Sequence, residues 1–121
     1  MKGYIVLLDC EEGIIVTKGK KFNIEKGIYA YVGSCGVNCA KRISRHLIRN
    51  KEKKHWHIDF LTELCNPIGV IVLNEGEKEI AKKLTVFKYV KGFGNSDDKE
   101  NSSHLFKVDI ISLFNLIKSN K

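Results

Sequence analysis

Apolar residues fall along this chain in short runs separated by polar turns. Residues 4–8 form one such run, residues 9–13 a polar turn ending in glycine, and residues 14–16 a second β-branched run, which together predict a hairpin. Residues 20–24 read as a polar loop or edge strand. Residues 27–32 read as a strand, and on its line Tyr29, Tyr31 and Gly33 share one face because side chains alternate. The glycines at 33 and 36 break that strand. A helix is predicted over 38–50, where Ala40, Ile43 and Leu47 have the i, i+3, i+7 spacing of a buried stripe.

Beyond a charged loop at 51–54 comes His55-Trp56-His57-Ile58. Asp59 is placed to cap a short helix over 60–64, which Asn66-Pro67 ends. Residues 68–73 have the pattern of a buried strand, short, β-branched and bounded by breakers. Residues 77–84 predict a helix, 86–90 a strand, 92–103 a polar loop and 105–108 a strand. Asp109 caps a final helix with Ile110, Leu113, Phe114 and Ile117 on one side. No repeat or boundary interrupts this order, so residues 1–121 are expected to form a single α/β domain, a small mixed central sheet flanked by helices.

Charge adds a partner class. The chain has 21 Lys and Arg against 14 Asp and Glu, a net charge of +7, which favours polyanions, although a solvated basic surface has the same composition. No apolar run nears the roughly 18–20 residues needed to span a bilayer, so no membrane partner is expected. The N-terminal apolar run is followed by Glu11 and Glu12, a poor signal peptide, and the expected location is cytoplasmic. Oligomeric state is not fixed by the sequence. Cys10, Cys35, Cys39 and Cys65 include no C-x-x-C pair, and reduced thiols are expected. A zinc set of Cys35, Cys39, His55 and His57 can be composed on paper, but its spacing is unlike paired-cysteine knuckles. A Ser-His-Asp set from Ser96, Asp97, Ser103 and His104 lacks the strained nucleophile turn such triads use.

The segment from Tyr31 to Arg49 carries the most chemistry. On a helix Arg42, His46 and Arg49 occupy one face beside the apolar stripe, with Arg45 next to it. Arginine offers phosphate a planar donor fork, and histidine or tyrosine can move a proton. The same spacing also describes a solvated basic helix face.

Tyr31-Val32-Gly33-Ser34, followed by Arg42 and by His46 one turn later, resembles the second half of the GIY-YIG nuclease motif. Arg42-Ile43-x-Arg45-His46-Leu47, Trp56-His57-Ile58-Asp59, Gly92-Phe93-Gly94-x-Ser96-Asp97 and Ser103-His104-Leu105-Phe106 resemble one offshoot of that superfamily, whose members occur alone or fused to DNA-repair glycosylases. The resemblance spans most of the chain. It implies a GIY-YIG-like fold and a metal-dependent endonuclease acting on DNA, with RNA also open as a partner. A nucleic-acid-binding module on the same scaffold is the alternative.

By that resemblance Tyr31 acts as base or orients water, Arg42 stabilises charge on the phosphate, and His46 assists proton transfer. Ser34, Arg45, Arg49 and His57 are the candidate nucleic-acid contacts, and Trp56 is a candidate to stack on a base as aromatics do in single-strand binders, a core or rim Trp being the more common use. Mg2+ or Mn2+ is held by a glutamate on the helix after the third strand, where Glu77 and Glu79 stand and Glu79 is the choice. The family's first motif, Gly-Ile-Tyr, is here Gly3-Tyr4-Ile5. That shift by one residue predicts Tyr4 on the other strand face, and Tyr29, sharing a face with Tyr31, is the candidate to fill the place.

Overall fold

The structure, a computed structural model, describes residues 2–17, 19–47, 60–94 and 98–118. The strands β1 (Gly3–Cys10), β4 (Gly27–Ser34), β5 (Cys65–Leu73), β6 (Lys88–Tyr89) and β7 (Leu105–Lys107) form one sheet in the order β5-β1-β4-β7-β6. A separate two-stranded sheet joins β2 (Gly13–Thr17) to β3 (Lys20–Ile24). The helices are α1 (Cys39–His46), α2 (Glu77–Lys83), followed by a 3-10 turn at Leu84–Val86, and α3 (Ile110–Lys118). Among the described residues no helix is long and apolar enough to cross a membrane.

Strand alternation divides the interior in two. Tyr4, Val6, Leu8 and Cys10 of β1 join Tyr29 and Tyr31 of β4 in a core covered by Ile15, Phe22 and Ile24 of the β2–β3 hairpin, with Cys39 and Ile43 of α1 packed on it. Ile5 and Leu7, with Ala30 and Val32, form the opposite core under Ile80 and Ala81 of α2 and Leu113 of α3. Ile5, Val6 and Leu8 are fully buried, and each such side chain contributes about 1.5–3 kcal/mol of transfer free energy. The α/β class holds, with helices on both sides of the sheet. The sheet itself is antiparallel at every described pairing, where a mixed one was expected.

Three expectations about packing are overturned. First, β1 and β2 form no hairpin: β1 runs between β4 and β5, and β2 pairs with β3. Second, the apolar run at 68–73 belongs to an edge strand, not a buried one. Among the described residues it has β1 on one side only, and Ile68 and Val72 are exposed. Edge position overrides composition here, because burial on both faces depends on what covers the sheet. Third, the cysteines are paired. Cys10 lies opposite Cys65 in the β1–β5 register, and Cys35 meets Cys39 across the turn into α1; each pair is a disulfide. The zinc set on paper therefore has no free thiol.

Asp109 caps α3 as expected, its Oδ2 accepting the Ser112 backbone N–H at 3.0 Å. The helix is rotated from the expected stripe: Leu113 is buried, Leu116 and Ile117 pack beside it, and Phe114 is exposed.

Candidate functional site

The β1–β4 register sets Tyr4 opposite Gly33. Glycine is required there, because a Cβ would run into the Tyr4 ring. Through that gap the ring crosses β4 and reaches α1, where Tyr4 Oη and His46 Nε2 are hydrogen-bonded at 2.6 Å. Tyr31 stands on the same face, its ring centroid 6.2 Å from that of His46 in an edge-on arrangement. Tyr4 is thus on the Tyr31 face, contrary to the expectation from the shifted first motif. Register with the partner strand decides which residues share a face, and the motif spacing alone did not contain it.

Helix α1 begins at Asn38, whose Oδ1 accepts the Lys41 backbone N–H at 3.3 Å. The line it turns to the core is half-buried Cys39 and Ile43 with buried His46, not the expected Ala40, Ile43 and Leu47; Ala40 and Leu47 are exposed. A histidine can occupy the core line because the Tyr4 hydroxyl supplies a partner for its ring nitrogen. Half-buried Arg42 lies one turn before His46. Its Nη1 donates to the Ser34 carbonyl at 2.7 Å. The guanidinium passes over Gly36, where a Cβ would come within 3.2 Å of Cζ, and Gly36 has φ of 56°. Both the backbone and the arginine therefore call for glycine at that position. Half-buried Arg45 is in the last turn, where cationic side chains suit the helix dipole.

The other candidates fall elsewhere. Tyr29 shares the Tyr31 face, but its Oη accepts the Glu25 backbone N–H at 2.9 Å, which ties it to the β3–β4 turn. Burial raises its phenol pKa, a push partly offset by that N–H. It is Tyr4, therefore, that stands with His46. Arg49, Trp56 and His57, together with His55, Asp59, Ser96 and Asp97, lie outside the described residues.

Glu79 is exposed on α2, whose Ile80 and Ala81 pack against Ile5 and Val32. A Cβ on Gly3 would lie 2.7 Å from Ile80 Cδ1, so α2 sits close on that face. Glu79 is consequently across the sheet from Tyr4 and Tyr31. Among the described residues no three His, Cys, Asp or Glu side chains converge as metal ligands. The residues do not fit a divalent cation held by Glu79 beside the Tyr–His–Arg cluster.

A family model described as a domain of unknown function, DUF123, matches residues 3–120. The chain belongs to the DUF123 family. No curated protein and no solved structure matches the chain. The DUF123 match takes in both cores and the whole Tyr4, Tyr31, Arg42 and His46 cluster.

A second polar cluster in this DUF123 domain was not foreseen. His104 and Asp98 are both buried, with His104 Nε2 2.8 Å from Asp98 Oδ2. Asn101 Nδ2 donates to Asp98 Oδ2 at 2.7 Å and to the Lys78 carbonyl at 3.2 Å, fastening the loop before β7 to α2. Glu77 Oε2 lies 3.6 Å from His104 Nδ1. Burial alone would raise the Asp98 pKa, but hydrogen bonds from His104, Asn101 and the Glu100 backbone together hold it below the ordinary carboxylate value. The triad composed on paper does not form with Ser103, whose hydroxyl faces backbone carbonyls of Phe93 and Leu105. A polar loop flanking His104 was the available signal, but the choice of Asp98 as partner depends on how the loop folds back.

Proposed function

We propose that this domain binds nucleic acid along the Arg42–Arg45 edge of α1 and hydrolyses DNA phosphodiester bonds at the adjoining Tyr4–Tyr31–His46 cluster, as a nuclease of the GIY-YIG type. The observation that carries the reading is the Tyr4–His46 hydrogen bond beside Tyr31, with Arg42 one helical turn before His46 and held by the Ser34 carbonyl. A net charge of +7 supports a polyanionic substrate.

Each group has a task in such a reaction. A water oxygen bonds to phosphorus as the bond to the leaving sugar oxygen breaks. The water proton passes to Tyr31 or to the Tyr4–His46 pair, and solvent returns a proton to the leaving oxygen. Arg42, steadied by the Ser34 carbonyl, stabilises the charge that builds on the phosphate oxygens. Glu79 stands across the sheet from these groups.

One observation favours a second reading, a non-catalytic nucleic-acid-binding module. Tyr4 and His46 are 3% and 1% exposed, as deep as core residues. In that reading the pair is a latch that seats α1, and the arginines alone meet phosphate.

A cleavage assay separates the two. Labelled branched, nicked and single-stranded DNA is incubated with the wild type and with Arg42→Ala, in Mg2+, in Mn2+ and in EDTA. Cutting that Arg42→Ala abolishes supports the nuclease. Salt-sensitive binding without cutting supports the module. Neither cutting nor binding overturns both.

A further inference from the structure

Two disulfides cross-link the chain, and their surroundings differ. Cys10 and Cys65, joined across β1 and β5, are 1% and 0% exposed and belong to the core that the β2–β3 hairpin covers. Cys35 and Cys39 stand four positions apart, and Gly36, Val37 and Asn38 between them are all exposed. Cys35 is buried and Cys39 half-buried. We propose that the Cys35–Cys39 pair is a thiol-exchange site, attacked by a small monothiol of the glutathione class at the Cys39 sulfur, and that opening it releases the turn that holds Arg42. The second half rests on reading the domain as a nucleic-acid binder; the first half does not.

The exchange balances in two steps. A small thiolate attacks the Cys39 sulfur, the Cys35–Cys39 bond breaks, and Cys35 leaves as a thiolate that takes a proton from solvent. A second small thiolate then attacks the outer sulfur of the mixed disulfide. Cys39 leaves as a thiolate and is protonated in turn, and the two small thiols depart as their own disulfide. Two thiols are oxidised and one protein disulfide is reduced. The chain suits both steps. The exposed turn gives a reagent access to Cys39, whereas Cys35 is 3% exposed. Cys39 opens α1, whose first turn carries no acidic side chain and whose next residues include Lys41 and Arg42. A helix N-terminus and nearby cations favour the thiolate that leaves in the second step.

Geometry links the pair to Arg42. Cys35 follows Ser34, whose carbonyl accepts from Arg42 Nη1 at 2.7 Å. Cys39 lies three residues before Arg42 on α1. Between the cysteines stands Gly36, with the Arg42 guanidinium over it. The disulfide thus closes the loop against which the guanidinium rests. When it opens, other bonds keep the two ends in place. The Cys35 N–H donates to the Lys2 carbonyl at 3.0 Å, and α1 retains its Asn38 cap and the Tyr4–His46 bond. Opening therefore frees the turn at 36–38 and leaves the sheet and the helix seated. A guanidinium on a freed turn must be ordered when phosphate binds, and that ordering costs affinity.

The other disulfide is an internal control. Cys10 and Cys65 face each other in the β1–β5 register, buried in the core. A thiol reaches them only if these core strands separate, an opening far more costly than that of an exposed turn. A mild thiol therefore distinguishes the two pairs while the protein stays folded.

The test equilibrates the folded, oxidised protein with glutathione buffers of stepped ratio, alkylates the free thiols and maps them by mass spectrometry. The same samples are titrated by fluorescence anisotropy with a short labelled DNA. Cys35→Ser/Cys39→Ser and Arg42→Ala run alongside, and circular dichroism checks the fold of each. Alkylation of Cys35 and Cys39 is expected while Cys10 and Cys65 stay protected. Reduction is expected to weaken DNA binding about tenfold, the scale of one charge-assisted hydrogen bond displaced. Cys35→Ser/Cys39→Ser should bind as the reduced wild type does and take no notice of glutathione. No alkylation of Cys35 and Cys39 in the folded protein, or opening of both disulfides together, overturns the exchange site. Selective alkylation with binding unchanged overturns its link to Arg42. No DNA binding in any state overturns the nucleic-acid reading and that link with it, while selective alkylation still upholds the exchange site.

Discussion

Tyr4 and His46, 42 residues apart in sequence, are joined by a buried hydrogen bond of 2.6 Å between Oη and Nε2. The bond fastens α1 to β1, and it brings a phenol and an imidazole beside Tyr31. Removing the hydroxyl leaves a buried ring nitrogen without that partner. Tyr4→Phe is therefore expected to destabilise the domain by about 1–3 kcal/mol, the usual range for a stranded buried polar group. Urea unfolding at neutral pH measures it, and a loss near zero would mean that the bond contributes nothing to seating α1.

Gly33 faces Tyr4 across the β1–β4 pair, and a Cβ there would occupy the space of the ring. Both partners are strand residues in the core, so the ring must yield. Gly33→Ala is expected to cost about 1–3 kcal/mol, the range for overpacking. It should also displace Tyr4 from His46, so that Tyr4→Phe in the Gly33→Ala background costs less than it does alone. A double-mutant cycle reads that coupling, and strict additivity would refute the contact.

These two residues also show what the chain reveals of its own structure. Most elements were legible from period and capping, including α1 after Asn38 and α3 after Asp109. What was not legible depends on pairing. The sequence places Tyr4 and Gly33 on strands, but the register that sets them opposite is a long-range property, and it reversed the face expected for Tyr4. In α1 the apolar pattern favoured Leu47 for the core, and the Tyr4 hydroxyl instead made burial of His46 affordable. The run at 68–73 looked internal from its own composition, yet only its neighbours could determine that β5 is an edge. Of the candidate site, Tyr31 and His46 were legible and lie side by side with Arg42 one turn before His46, Tyr4 was placed on the wrong face, and Glu79 was put beside groups from which the sheet separates it.

Arg42 donates to the Ser34 carbonyl and lies over Gly36, which holds the guanidinium plane in place. A planar fork binds phosphate at two points, whereas an ammonium is a point charge. Arg42→Ala is expected to weaken DNA binding about 10- to 100-fold, corresponding to ~1.5–3 kcal/mol for a charge-assisted hydrogen bond. Arg42→Lys should recover only part of that loss. Filter binding at fixed salt compares the three proteins, and full recovery by lysine would show that charge, and not the fork, is what matters.

Glu79 gives the sharpest contrast with the nuclease resemblance. It is exposed on α2, behind the core formed by Ile5, Val32 and Ile80. Glu79→Ala is accordingly expected to leave both DNA binding and any cleavage within about twofold of wild type, under 0.5 kcal/mol for a surface substitution. Cleavage lost in Glu79→Ala, with the fold intact by circular dichroism, would mean that α2 does reach the reacting phosphate.

Asp98 makes stability depend on acid. Its carboxylate lies within hydrogen-bonding reach of His104, Asn101 and the Glu100 backbone, and these partners outweigh burial in lowering its pKa. A carboxyl with a depressed folded pKa stabilises the native state at pH values above its unfolded pKa of about 3.9. That contribution is lost as pH falls through the lower folded value, because the protonated acid no longer accepts these bonds as an anion. Asp98→Asn keeps the shape and removes the charge. At pH 7 it is expected to be less stable than wild type by about 1–3 kcal/mol. As pH falls from about 4 toward the lower folded value the gap should narrow, and it closes once the native wild type is itself protonated there. Urea midpoints at stepped pH test the sign, and a gap that is unchanged or widens toward low pH would show that the His104 pair does not link stability to the charge on Asp98.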